Sequence, residues 1–124
     1  MGKTVLVVDD SAMMRKIVIK NLKETGFDVQ VVEAADGKEG LARFIAGGID
    51  LILSDWNMPN MDGLTMIKEI RKLDPERKVP IIMVTTEGSA DRVKDAVMAG
   101  ANNYLAKPFT PERFKEKLSK FLAP

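Results

Sequence analysis

The chain has 124 residues, 45% hydrophobic and 30% charged, the size and balance of one soluble globular domain with a core of its own. Its net charge of +1 gives none of the strongly basic footprint that nucleic-acid binding needs. It contains no cysteine and no histidine, which excludes disulfides, zinc–thiolate sites, imidazole acid–base catalysis and a phosphohistidine carrier.

The chain opens Met1-Gly2-Lys3 and runs directly into an apolar stretch, with no leader pattern. A myristoylation signal needs Ser or Thr at position 6, where Leu6 stands. No run reaches the ~18 apolar residues of a membrane span, so a cytoplasmic protein is expected. Thr4 to Val8 reads as a buried strand and is followed by Asp9-Asp10. Ser11 caps a helix with Met14, Ile17, Val18 and Leu22 on one stripe, ended by Gly26. Val29 to Val32 is a second strand. Asp36 with Glu39 three residues on reads as a capping box, opening a helix that stops at Gly47-Gly48. Leu51 to Leu53 is a third strand, followed by Ser54, Asp55, Trp56 and Asn57. Gly63 to Leu73 is helical, with Ile67, Ile70 and Leu73 on its stripe. Pro80 to Val84 is a fourth strand and Thr85 follows it. Ser89 caps a helix through Val93, Ala96 and Val97 that stops at Gly100. Asn103 to Ala106 continues the rhythm as a fifth strand, followed by Lys107-Pro108. Thr110-Pro111-Glu112 supplies cap, proline and acid at a helix start. The last helix spaces Phe114, Leu118, Phe121 and Leu122 along one face.

The pattern is strand–helix repeated five times, an α/β chain. Right-handed crossovers then favour a doubly wound parallel sheet. Sites in such sheets lie past the carboxyl ends of the strands. Those positions carry Asp9, Asp10, Asp55, Asn57, Thr85 and Lys107. Crowded carboxylates repel unless a cation intervenes, and with oxygen donors alone that cation is Mg²⁺-like. Taken singly, each residue has a plainer reading: a solvated turn, a cap, a surface lysine. Together they supply metal ligands, a nucleophile, a hydroxyl donor and a point positive charge, the groups that phosphoryl transfer uses.

Four segments carry a family resemblance: Val5 to Asp10 (VLVVDD), Ser54 to Gly63 (SDWNMPNMDG), Met83 to Thr85 (MVT) and Lys107 to Thr110 (KPFT). In order and across the whole chain, they resemble the receiver domain of two-component response regulators, most of all the stand-alone chemotaxis regulators. The resemblance implies one receiver domain over residues 1–124 and a flavodoxin-like strand order 2-1-3-4-5, which is carried over from the fold class and not read from spacing. It implies Asp55 as phosphoacceptor. Asp9, Asp10, Asp55 and the Asn57 backbone carbonyl would hold Mg²⁺, for which Mn²⁺ can substitute. Thr85 and Lys107 would contact the phosphoryl oxygens, and Tyr104 would be the switch aromatic. Asn57 and Glu87 would tune the lifetime of the phosphate. The Lys107–Pro108 peptide is expected to be cis.

The resemblance further implies a signalling protein and not an enzyme, a monomer that promotes its own phosphorylation and dephosphorylation. A histidine kinase would be the donor, with a phosphatase as a further partner. Output would pass through the fourth helix, fifth strand and fifth helix to the flagellar motor switch. A phosphorelay, a non-flagellar output or a receiver excised from a larger regulator are the alternatives, and no effector domain follows Pro124 in the sequence. Arg92, Lys94, Arg113, Lys115, Lys117 and Lys120 read as a solvated face. Three rival functions would each leave a different mark on the chain. An aspartyl phosphatase would space its first acids Asp-x-Asp, where this chain has an adjacent pair. A flavin mononucleotide protein would need a hydroxyl- and glycine-rich phosphate loop where Asp9-Asp10-Ser11-Ala12-Met13 stands. An adaptor that has lost phosphorylation would gain no mass with acetyl phosphate and Mg²⁺.

Overall fold

A computed structural model describes residues 2–123; Met1 and Pro124, named above, lie outside the described residues. The chain alternates β1 (Lys3–Val8), α1 (Ala12–Glu24), β2 (Val29–Ala34), α2 (Gly37–Ala46), β3 (Leu51–Ser54), α3 (Gly63–Leu73), β4 (Ile81–Thr85), α4 (Ala90–Ala99), β5 (Asn103–Ala106) and α5 (Pro111–Leu122). The strands form one parallel sheet in the order β2-β1-β3-β4-β5, as the resemblance implies.

Side chains alternate across a strand, and the sheet uses this to build two cores. Val5, Val7, Leu51, Leu53, Ile82, Val84 and Leu105 face α1 and α5, where Val18, Leu22, Phe114 and Leu118 meet them. Leu6, Val8, Ile52, Ile81 and Met83 face the other way, onto Met66, Ile67 and Ile70 of α3 and Ala96 of α4. The central strands are therefore buried on both faces, the reason they read as unbroken apolar runs. β2 and β5 are edge strands and only partly buried.

The helix starts follow the caps. Ser11, Asp36, Ser89 and Thr110 each accept the backbone N–H three residues on. Asp62 does the same for Thr65, a cap absent from the sequence reading. The Asp36 capping box is made by half: Asp36 accepts from Glu39, while the Glu39 carboxylate turns to Arg43 at 4.0 Å. Three expected core positions face solvent instead. Ile17, Leu73 and Val97 are exposed, each at a margin of its helix stripe. Met66 joins Ile67 and Ile70 in the α3 core, beside the expected stripe.

Candidate functional site

Parallel register builds the site. Val8 of β1 pairs with Ser54 of β3, so the residues that follow, Asp9 and Asp55, leave the sheet side by side. Thr85 ends β4 opposite Ala106 of β5, and the next residue, Lys107, donates its backbone N–H to the Thr85 carbonyl at 3.0 Å. β1 leads out to β2 on one side and β3 leads to β4 on the other. The crevice between β1 and β3 is thus the switch point where such sheets hold ligands.

The Lys107 ammonium reaches across this crevice. It donates to Asp9 Oδ2 at 2.9 Å and to Asp55 Oδ2 at 3.2 Å. Asp9 is buried, Asp55 half-buried and Asp10 exposed. One carboxylate oxygen from each of the three lies within 4.8 Å of the others. A single ammonium therefore faces three acids, and the donors available to a metal are all oxygens. This set fits a small hard divalent cation that keeps part of its water on the exposed Asp10 side.

Local bonds hold the acids in place. Asp9 Oδ1 accepts from the Ser11 N–H at 2.9 Å, and the Asp9 carbonyl accepts from Arg15 Nη1 at 2.7 Å. Arg15 was not singled out from sequence; its position one turn into α1 is the only signal that could have found it. Asp55 Oδ1 accepts from the Trp56 N–H at 2.7 Å, which leaves Oδ2 toward Lys107. The loop after Asp55 folds back so that the Gly63 N–H donates to the Trp56 carbonyl at 2.8 Å. A Cβ on Gly63 would collide with the Asp55 carbonyl, so glycine is required here by close backbone approach.

Thr85 is fully buried, and its hydroxyl accepts from the Glu87 N–H at 3.3 Å. Glu87 Oε1 accepts from Asn57 Nδ2 at 2.9 Å. The two residues therefore join the loops that follow β3 and β4. The Tyr104 hydroxyl is enclosed, with no hydrogen-bond partner among the described residues. Burial, then the nearby charges of Glu87 and Asp55, push its pKa above the ordinary tyrosine value. The Lys107–Pro108 peptide is cis. The residues expected at the site from sequence lie at these strand ends, in the loops that leave them or, for Tyr104, within β5.

The response regulator receiver domain model matches residues 5–119. The chain belongs to that family. Within it, curated relatives carry the name CheY. "Chemotaxis protein CheY1" of Helicobacter pylori is 45% identical over 114 residues, covering 91% of each chain. The "Chemotaxis protein CheY homolog" of Campylobacter jejuni is 45% identical over 118 residues, 94% of this chain and 90% of its own. Among solved structures, the chemotaxis response regulator CheY4 of Vibrio cholerae superposes with a TM-score of 0.87 at 37% identity, covering 98% of this chain and 100% of its own. A CheX–CheY–BeF₃–Mg complex from Borrelia burgdorferi gives 0.87 at 29% identity, covering 95% and 87%. Among the described residues no helix is long and apolar enough to cross a membrane.

Proposed function

We propose that this chain is a single-domain phosphorylation switch in chemotaxis signalling, with Asp55 as its acceptor. The observation that carries the reading is the Lys107 ammonium held between Asp9 and Asp55. That arrangement places a fixed positive charge beside a carboxylate whose Oδ1 is held by the Trp56 N–H and whose Oδ2 meets only that ammonium among the described residues.

In the proposed cycle a phosphohistidine of a histidine kinase, or a small acyl phosphate, is the donor. Asp55 Oδ2 attacks phosphorus, the new O–P bond forms, and the bond from phosphorus to the donor nitrogen or oxygen breaks, its electron pair leaving with the donor. Lys107 neutralises charge on the transferring oxygens, and its ammonium needs little movement to do so. Asp9, Asp10, Asp55 and the Asn57 carbonyl are the groups that would hold Mg²⁺, which supplies further charge neutralisation when bound. Water later attacks the phosphorus, releasing phosphate and restoring the Asp55 carboxylate.

The phosphate adds about −1.5 to −2 charge at residue 55. Thr85 would turn its hydroxyl toward a phosphoryl oxygen, giving up the Glu87 N–H. That change alters the surroundings of Tyr104 and favours one arrangement of the α4–β5–α5 face. A hollow of about 290 Å³ on that face is lined by Tyr104, Ala106, Pro108, Thr110 and Arg113 among others. A motor-switch protein or another effector would read it. The coupling available to such a switch is typically about 1–3 kcal/mol.

Trp56, the only tryptophan, adjoins Asp55 and reports on it. Its fluorescence should change on Mg²⁺ addition and again with acetyl phosphate, alongside a mass gain of one phosphoryl group. Asp55→Asn should abolish the second change and the mass gain. A wild-type chain that gains no mass would defeat the proposal.

A further inference from the structure

Arg92 reads from the sequence as one of several solvated cations, and its side chain is half exposed. Its contacts are not those of a free surface residue. The guanidinium carbon lies 5.1 Å from the centroid of the Trp56 ring, over its face. The same group stands 3.8 Å from Glu87 Oε2. The other Glu87 oxygen accepts from Asn57 Nδ2 at 2.9 Å, and Asn57 is bonded to Trp56 along the chain. The four residues close a ring: Trp56, Asn57, Glu87, Arg92 and back to Trp56.

The ring joins the loop after β3 to the loop after β4 and to the first turn of α4, into which that second loop runs. Trp56 and Asn57 belong to the loop after β3, directly past Asp55. Glu87 belongs to the loop after β4, just past Thr85, whose hydroxyl its N–H contacts. Arg92 is in the first turn of α4, its own N–H held by the Ser89 cap at 3.2 Å. The indole face attracts the cation through its quadrupole, and the carboxylate attracts it by charge. Both oxygens of Glu87 are thus engaged, one by Asn57 and one by Arg92, and the side chain is held between the loop after β3 and the start of α4.

We propose that Arg92 is a positioning residue: by clamping Glu87 from the α4 side and covering Trp56, it closes the β3–β4 edge of the acceptor site to water and ties that edge to α4. This rests on the assignment of Asp55 above. Water attacking a phosphoryl group on Asp55 from this edge must pass Glu87. Releasing Arg92 leaves Glu87 held by Asn57 alone, so the phosphate should be lost sooner.

The test compares wild type with Arg92→Ala, Arg92→Lys, Glu87→Gln and the double variant Arg92→Ala with Glu87→Gln in two measurements. The first is acrylamide quenching of Trp56 in the unphosphorylated protein. Arg92→Ala should raise the quenching constant about threefold, with partial recovery in Arg92→Lys, as expected from loss and weakening of an exposed cation–π contact. The second is decay of the Asp55 phosphate after removal of acetyl phosphate. Arg92→Ala should speed it about threefold and Arg92→Lys less. In the Glu87→Gln background, Arg92→Ala should have little further effect on decay, because the two side chains act through one contact. Unchanged quenching in Arg92→Ala overturns the ring. Raised quenching with unchanged decay overturns the role of Arg92 in holding the edge closed. Should the wild-type chain take no phosphoryl group, the Asp55 assignment falls by itself, and the quenching series still decides the ring.

Discussion

The ammonium of Lys107, just past β5, lies 2.9 Å from Asp9 and 3.2 Å from Asp55, two carboxylates delivered by β1 and β3. The three side chains are largely removed from solvent, so the cation compensates charges that water cannot. Lys107→Met should lower stability in chelator by about 3 kcal/mol, since removing one partner leaves buried charge unpaired. Added Mg²⁺ should restore part of it. Urea midpoints with and without Mg²⁺ measure both effects; equal midpoints for wild type and Lys107→Met in chelator would show that the contact carries no stability.

Asp10 stands in the same acid cluster but makes no bond to Lys107. Its charge repels Asp9 and Asp55 without compensation while no divalent cation is bound. Asp10→Asn should therefore raise stability in chelator by about 1 kcal/mol and weaken Mg²⁺ binding at least ~10-fold, the exchange of stability for function expected at a site. Thermal unfolding in chelator and a Mg²⁺ titration followed by Trp56 fluorescence should move in opposite senses.

Tyr104 is the only tyrosine, and its enclosed hydroxyl has no partner among the described residues. A buried hydroxyl without a hydrogen bond costs free energy, so Tyr104→Phe should be neutral or stabilising by about 1 kcal/mol. Loss of more than about 2 kcal/mol would mean the hydroxyl has a partner. Burial raises the phenol pKa, helped by Glu87 and Asp55. The neutral form is favoured by folding, so the stability linked to it is complete below the unfolded tyrosine pKa. That stability is lost as pH rises past the unfolded value toward the higher folded one. Ultraviolet titration of the phenol should show ionisation above the ordinary value of 10.0.

Asp74 closes α3, and its carboxylate gathers three donors. Its Oδ1 accepts from the Lys78 N–H, and its Oδ2 from the Val79 N–H and from Arg71 Nη1. Burial alone would raise its pKa; the Val79 and Lys78 amides and the Arg71 charge outweigh that and hold it below the ordinary value of 3.8. Because folding prefers the ionised carboxylate, its contribution is present above the unfolded pKa and is lost as pH falls through the lower folded value. Asp74→Asn should cost about 2 kcal/mol at neutral pH and flatten the fall of stability in acid. A variant with the wild-type acid profile would assign that fall to other carboxylates.

Gly63 allows the acceptor loop to close on itself, its missing Cβ leaving room for the Asp55 carbonyl. Gly63→Ala should push the two backbones apart, costing at least about 2 kcal/mol and slowing acetyl phosphate labelling of Asp55. Labelling and stability both equal to wild type would show that the loop relaxes freely.

The places where sequence and structure part company share a physical cause. Ile17, Leu73 and Val97 fit the helical period yet face solvent, because periodicity names a stripe and not its width against a particular sheet. Arg92 looks in sequence like Lys94 or Arg113; only the placement of α4 against Trp56 and Glu87 gives it partners. Gly63 and Arg15 act through backbone carbonyls, and a carbonyl has no sequence identity to read.

The sequence alone determined the alternation of five strands and five helices, four of the five helix caps, and the row of acids, Thr85 and Lys107 at the strand ends, because periods and caps are local properties of the chain. Only the tertiary structure decided that Lys107 bridges Asp9 and Asp55 and that Arg92 closes on Glu87 and Trp56. Apart from Arg92–Glu87, five residues apart, those contacts join residues distant along the chain, and their distances come from sheet register and helix packing, which no local spacing encodes.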